Sequence, residues 1–327
     1  MAINQDKLRM LRIMQILTQE TDEQHPLSAA KIGARLESAY GMTCDRKTIY
    51  SDIELLDEIG LEVVHTPSKR GGFYVSGREF ELPELKLLVD AVQSSKFITI
   101  KKSEELIKKI GNLTSVGEAN LLKRQIFIHN RPKTGNENIY YSVDAIHTAM
   151  YENKKISFQY TSWTLKKELE VKKDGKLYEV SPHALTWDDE NYYLVAYDSA
   201  TDTIRHYRVD KMKGTAITKE KREGIEQFRD FNLAEYAKKT FGMYGGHDEV
   251  LSLICKNNLV GVLIDRFGID IPVMPVDSEC FRTRVLVSVS RQFFGWLTGI
   301  GKDIRIESPE KVKIEYQDYL KEIMSVY

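Results

Sequence analysis

Residues 181–213 constrain this chain more than any other stretch. Two apolar and aromatic runs, Tyr192–Tyr197 and Ile204–Val209, flank the polar segment Asp198-Ser199-Ala200-Thr201-Asp202. Turn chemistry between β-branched and aromatic flanks specifies a β-hairpin. The second strand carries Arg205, His206, Tyr207 and Arg208, and Lys211 follows just beyond Asp210. Cationic side chains beside tyrosines suit a surface that meets phosphate by charge and bases by stacking. A solvated strand face over buried tyrosines accounts for the same composition, and both readings stand at this point.

The remaining sequence sets the context. A chain of 327 residues is long enough for two to four domains. Its net charge of −1 gives no global field that would draw it to nucleic acid, so such binding must rest on local patches. Cys44, Cys255 and Cys280 are far apart, with no Cys-x-x-Cys spacing. That argues against a zinc site or a disulfide framework and fits a reducing cytoplasm. The N-terminus is polar, and no run of about 18 apolar residues suggests a membrane span.

The first 80 residues read as three helices and a hairpin. Met10, Ile13, Met14 and Leu17 form a buried helical stripe. Ser28 is placed to cap a second helix, which Gly41 ends. Asp45 is placed to cap a third, in which Ile49, Ile53 and Leu56 share one face and Lys47, Tyr50, Ser51 and Glu54 the other. Leu61–His65 and Gly72–Val75 flank a basic tip at 67–71. This order is the outline of a winged helix-turn-helix, whose third helix enters the major groove of duplex DNA. Residues 46–53, Arg-Lys-Thr-Ile-Tyr-Ser-Asp-Ile, resemble the third helix of the winged helix-turn-helix domains of bacterial regulators, with Ser51 where many relatives carry Arg. The expected DNA-facing residues are Arg46, Lys47, Thr48, Tyr50 and Ser51, with Lys69 and Arg70 on the wing. The charge balance opposes this: residues 1–80 hold ten Lys and Arg against twelve Asp and Glu, whereas DNA-binding domains are usually basic. A winged helix that makes only protein contacts is the competing reading.

Residues 81–137 read as helices, Leu82–Ser95, Lys102–Ile110 and Val116–Gln125, ending in a loop with Pro132 and Gly135. They suit a spacer or dimerisation element. A helix at Tyr141–Tyr151 then leads into five short strands, at Lys155–Tyr160, Lys176–Val180, Ala184–Trp187, Tyr192–Ala196 and Ile204–Val209, the pattern of a small barrel. Pro182, Tyr192-Tyr193-Leu194 and the run Arg205–Met212 resemble the WYL domain, a small Sm-like, SH3-like β-barrel named for a Trp-Tyr-Leu triplet. Here the triplet reads Tyr-Tyr-Leu, and Asp210-Lys211 stands where the family usually has Asp-Arg, losing a bidentate fork.

From residue 246 the order becomes strand, helix, strand, strand, helix, strand, closed by a helix at Pro309–Val326. This is the split βαβ, ferredoxin-like unit. With Phe293-Phe294-Gly295-Trp296-Leu297, Gly301 and Pro309, it resembles the C-terminal extension that follows WYL domains. The expected fold is thus a multidomain α+β chain. Its parts are a winged helix-turn-helix at 1–80, a helical linker at 81–137, the barrel at 138–222, a linker at 223–245 and a ferredoxin-like domain at 246–327.

The resemblance implies a homodimeric transcriptional regulator whose partner is double-stranded operator DNA. It also implies a nucleic-acid effector, single-stranded, or a nucleotide, held at the barrel. Alternation puts Arg205, Tyr207 and Val209 on one face of their strand and Ile204, His206 and Arg208 on the other. The expected ligand-binding set is Ser181, His183, Tyr193, Arg205, His206, Tyr207, Arg208 and Lys211. The competing view has the arginines forming internal salt bridges with Asp188, Asp189 or Asp210.

An enzyme carrying a winged helix as an accessory is the alternative, but no catalytic constellation supports it. Gly295–Lys302 has the wrong spacing for a P-loop, and Asp303 replaces the magnesium-binding hydroxyl. Asp188-Asp189-Glu190 lies between two strands and reads as a solvated hairpin tip rather than a metal site. No cofactor is expected.

Overall fold

The computed structural model describes residues 5–67, 71–124, 133–172, 175–188, 190–229 and 232–327. The chain is mixed α and β and divides into two compact units, residues 1–135 and 136–327.

In the first unit, helices α1 (Gln5–Glu20), α2 (Ala29–Tyr40) and α3 (Arg46–Glu58) precede an antiparallel hairpin of β1 (Val63–His65) and β2 (Phe73–Val75). The caps form where the sequence places them. Ser28 Oγ accepts from Lys31 N–H, Asp45 accepts from Thr48 N–H, and Gly41 ends α2 in the left-handed region at φ 65°. Ile13, Leu17, Ile32, Leu36, Ile49 and Leu56 make a common core at 0–1% exposure. Leu27 and Phe73 exchange two backbone hydrogen bonds, which ties the hairpin to the segment before α2. A Cβ on Gly72 would lie 2.3 Å from the Leu27 backbone, so only glycine admits this approach. The wing tip at 68–70, with Lys69 and Arg70, lies outside the described residues.

Helices α4 (Leu82–Ser94), α5 (Ile100–Gly111) and α6 (Val116–Arg124) follow. They pack around Leu85, Val89, Ile107 and Leu122.

The second unit begins with α7 (Ile139–Tyr151) and a sheet of six strands: β3 (Lys154–Trp163), β4 (Leu169–Val171), β5 (Leu177–Asp188), β6 (Asn191–Asp198), β7 (Thr203–Arg208) and β8 (Met212–Lys221). The order is β4-β3-β5-β6-β7, and β8 returns to pair with β3, so the meander curls back on its first strand. Two expectations need correction. Lys176–Val180 and Ala184–Trp187 are one strand, β5, with a register shift between Pro182 and Ala184. Proline cannot donate to the ladder, and the shift carries the strand past it. Beyond the hairpin, a short 3-10 turn at Val209–Lys211 leads into β8, which the sequence reading did not assign to a strand. Most of β8 is exposed, so it has no alternating apolar pattern; its pairing with β3 makes it a strand.

Helix α8 (Leu233–Lys239) leads to a four-stranded sheet of β9 (His247–Lys256), β10 (Met274–Pro275), β11 (Cys280–Val289) and β12 (Ile304–Ser308). Its order is β10-β11-β9-β12, with every neighbour antiparallel. Helices α9 (Val260–Phe267), α10 (Arg291–Ile300) and α11 (Glu310–Met324) complete it. The core holds Leu251, Leu253, Phe281, Val287, Phe293 and Val312. The segment 223–245, expected to be a linker, supplies Phe241 to this core, and Met243 is also buried.

Candidate nucleic-acid interfaces

The solvent face of α3 is built by its buried face. Asp52 sits among the core positions, and its carboxylate receives Arg9 Nε at 2.7 Å and a second guanidinium nitrogen at 3.3 Å. Arg9 also pairs with Asp6. A paired carboxylate tolerates burial where a lone one would not, so this bridge fixes the rotation of α3 against α1. With Ile49, Asp52, Ile53 and Leu56 inward, Arg46, Lys47, Tyr50 and Ser51 are exposed and Thr48 is half-buried. Tyr50 packs edge-on against Phe73 of the hairpin, and His65 stacks on the same ring. Arg46 and Lys47 make no ion pair among the described residues. The sequence reading identified this face but not the Asp52 bridge; an acidic residue at an inward helical position was the available signal.

In the barrel the expected ligand set separates into three places. Tyr193 lies directly across from Arg208 in the β6–β7 register. Arg208 donates Nε and a terminal nitrogen to Asp210 at 3.1 and 2.9 Å, and its backbone N–H donates to the Tyr160 hydroxyl at 3.1 Å. Burial pushes the Tyr160 phenol up to about 12, so it stays protonated. Lys211 follows within the 3-10 turn. It makes no ion pair among the described residues, and partial burial, with Arg208 and Lys172 nearby, pulls its pKa down. Tyr193, Arg208 and Lys211 therefore share one neighbourhood with Tyr160 and Lys172, neither of which the sequence reading had named. Lys172 Nζ lies 5.7 Å from the centre of the Tyr160 ring.

A second group is taken up by internal bonds. Ser181 is buried and its hydroxyl accepts from Glu223 N–H at 2.8 Å. His183 Nε2 lies 2.9 Å from the Glu223 carbonyl, and its ring stacks on Phe228 at 3.8 Å. Arg205 pairs with Asp198 at 3.0 Å. His206 Nε2 and the Tyr236 hydroxyl of α8 are in hydrogen-bond contact at 2.9 Å, and burial lowers the imidazole to about 4. Thus His206 does not present an open cationic face as expected from alternation; α8 covers it.

Tyr207 stands apart as core. It is 5% exposed and packs among Phe158, Tyr160 and Tyr178, with ring centres 5.0–5.8 Å away. Both arginines make internal salt bridges, only one of them with an acid that the competing view named. Arg208 does bridge to Asp210, while Arg205 uses Asp198. Asp189 lies outside the described residues. Among the described residues no three His, Cys, Asp or Glu side chains are placed to hold a metal ion, and no helix is long and apolar enough to cross a membrane.

The WYL domain family model matches residues 141–217, which run from α7 into β8. Over 301 residues, 86% of this chain and 89% of the relative, the sequence is 23% identical to the uncharacterized HTH-type transcriptional regulator YobV of Bacillus subtilis (strain 168). Among solved structures, proteasome accessory factor B/C (PafBC) of Arthrobacter aurescens aligns at 16% identity and a TM-score of 0.30. That alignment covers 99% of this chain and 48% of the PafBC chain, so this chain spans about half of its length. A CRISPR Cas-related protein aligns at 12% identity and a TM-score of 0.38, covering 100% of this chain and 87% of the other. Residues 141–217 thus match the WYL domain, and the chain is similar along most of its length to an HTH-type transcriptional regulator.

Proposed function

We propose that the chain is a DNA-binding transcriptional regulator whose barrel senses a nucleic-acid or nucleotide ligand. In this reading residues 1–80 are a winged helix-turn-helix and 81–137 a helical linker. Residues 138–222 are the Sm-like barrel and 246–327 a ferredoxin-like domain, joined by 223–245. The strand order β10-β11-β9-β12 with antiparallel neighbours supports the last of these. The regulator binds as a homodimer, so its operator is an inverted repeat. It works in the cytoplasm and has no catalytic step.

The observation that carries the reading is the exposed face of α3. A buried ion pair sets its rotation, and Arg46, Lys47, Tyr50 and Ser51 are left outward without internal ion pairs. Arg46 and Lys47 stand in the first turn, where the helix dipole also favours phosphate. The local acidity of residues 1–80 counts against non-specific binding, because its carboxylates repel the duplex. Several of them, however, are already engaged: Asp52 with Arg9, Asp22 with His25 and Glu20 with Arg35.

Duplex binding measured against salt concentration tests this reading. Arg46→Ala combined with Lys47→Ala should weaken binding and flatten the log–log salt slope by about 0.9 for each phosphate no longer neutralised. The helical signal and melting temperature should stay unchanged. An unaltered slope would remove α3 as the DNA-contacting element.

A further inference from the structure

The hairpin of β3 and β4 runs beyond the barrel. Strand β3 pairs with β5 and β8 only as far as Tyr160, and Thr161, Ser162 and Trp163 pair with β4 alone. The root is anchored, because the Thr161 hydroxyl donates to the Lys211 carbonyl at 2.9 Å. The tip is closed by two backbone hydrogen bonds of 2.9 Å, from Lys167 N–H to Thr164 and from Thr164 N–H to Glu168.

Strand alternation gives this ribbon two unlike faces. Trp163 lies across from Leu169 on one, and Ser162 across from Glu170 on the other. The apolar face is uncovered: Trp163 is 61% exposed, Leu169 40%, and Leu165 at the tip is fully exposed. The Trp163 ring makes no ring contact among the described residues. A two-stranded ribbon becomes stable by burying such a face, and tryptophan is among the residues most enriched at the centres of protein interfaces. Beside this face stand Lys166 and Lys167, both exposed and with no ion pair among the described residues. Lys167 adopts φ 63°, in the left-handed region that favours glycine. A lysine there keeps a charge at the tip against a backbone cost.

We propose that the β3–β4 hairpin is a docking surface for a protein partner that presents a short acidic and apolar segment. The apolar side chains of that segment cover Trp163, Leu165 and Leu169, and its carboxylates meet Lys166 and Lys167. Charge complementarity selects this occupant. Two copies of the hairpin packed together would add like charges. A nucleic acid could use the lysines and the indole, but the leucines offer it no stacking face. The hairpin shares no residue with the DNA-facing or ligand-binding sets named above, so the docking surface stands or falls apart from them.

The test selects a random dodecapeptide library on the immobilised full chain. Enriched peptides should carry Asp or Glu beside Leu, Phe or Trp. A fluorescent peptide of the leading sequence, titrated in solution, should bind about thirtyfold more weakly to Trp163→Ser and about tenfold more weakly to Leu165→Ser. Lys166→Gln combined with Lys167→Gln should weaken it about threefold at low salt and leave it unchanged in about 1 M salt. Leu165 is fully exposed, so its replacement leaves the fold intact. Melting temperature and duplex binding should match the wild type in every variant.

Failure to enrich any peptide, or enrichment of peptides without acidic residues, would overturn the proposal. So would a selected peptide that binds Trp163→Ser and Leu165→Ser as tightly as the wild type. If phosphatidylglycerol vesicles or labelled oligothymidylate displaced the peptide and lost affinity for Trp163→Ser, the surface would be one for lipid or nucleic acid and the proposal would fall. Self-association abolished by Trp163→Ser would assign the face to a second copy and overturn it equally.

Discussion

The cations of α3 and those of β7 look alike in sequence and differ in what they are free to do. Arg46 and Lys47 project from an exposed helix face and make no ion pair among the described residues. Arg205 and Arg208 lie on a strand whose own sheet and turn supply Asp198 and Asp210 at salt-bridge distance. A charge counted from sequence is a potential; the partner decides whether it is satisfied internally. The helix periodicity placed the partner of Arg9 on the inward face, but nothing in the strand alternation identified Asp198. That partner stands at the far end of a hairpin, opposite Thr203 rather than opposite Arg205.

The same contrast explains what the sequence could and could not reveal. Local signals were legible: the caps at Ser28 and Asp45, the glycine stop at Gly41 and the apolar stripe Ile49, Ile53, Leu56 all depend on neighbours within one turn. Strand β8 depends on its pairing with β3, and the continuity of β5 past Pro182 depends on a register shift against β6. Both are non-local, and neither leaves a periodic trace. Lys172 is a similar case. In sequence it belongs to a lysine-rich turn, and only the ladder to Tyr160 brings it to the barrel.

The largest effect should come from breaking the buried ion pair in the first unit. Asp52→Ala would leave the Arg9 guanidinium largely buried with only Asp6, itself exposed, as a partner. Breaking a buried pair from one side costs about 3–5 kcal/mol, and the urea midpoint of the first unit should fall accordingly. If Asp52→Ala melted like the wild type, the bridge would not be what sets the rotation of α3, and the exposed face would need another cause.

Next in size is a pH effect confined to the second unit. His206 is neutral in the fold because burial lowers it from 6.5 to about 4. Between those values the unfolded chain binds a proton that the folded chain does not, so stability falls as the pH drops from about 6.5 toward 4. Full traverse of that window corresponds to on the order of 3 kcal/mol. His183, also lowered by burial, adds in the same direction. Stability of His206→Gln should depend less on pH across the window while keeping a hydrogen bond to Tyr236. An unchanged slope in the variant would mean that the imidazole is not shielded by α8.

The smallest effect separates the two sets of cations most directly. If Asp210 holds Arg208 away from ligand, Asp210→Asn should release the guanidinium and keep the shape of the 3-10 turn. Stability should drop slightly, by about 1 kcal/mol for the weakened charge-assisted hydrogen bonds, while oligothymidylate affinity should rise roughly threefold, the equivalent of under 1 kcal/mol. Asp198→Asn is the matched control. It releases Arg205, but strand alternation turns that side chain to the opposite face from Arg208, so binding should stay within about twofold, under 0.5 kcal/mol. The sign of the change in Asp210→Asn decides between the two cases. Weaker binding would mean that the carboxylate orients Arg208 toward the ligand, and the strand cations of the barrel would then belong with those of α3, as groups directed outward at a phosphate rather than held within the fold.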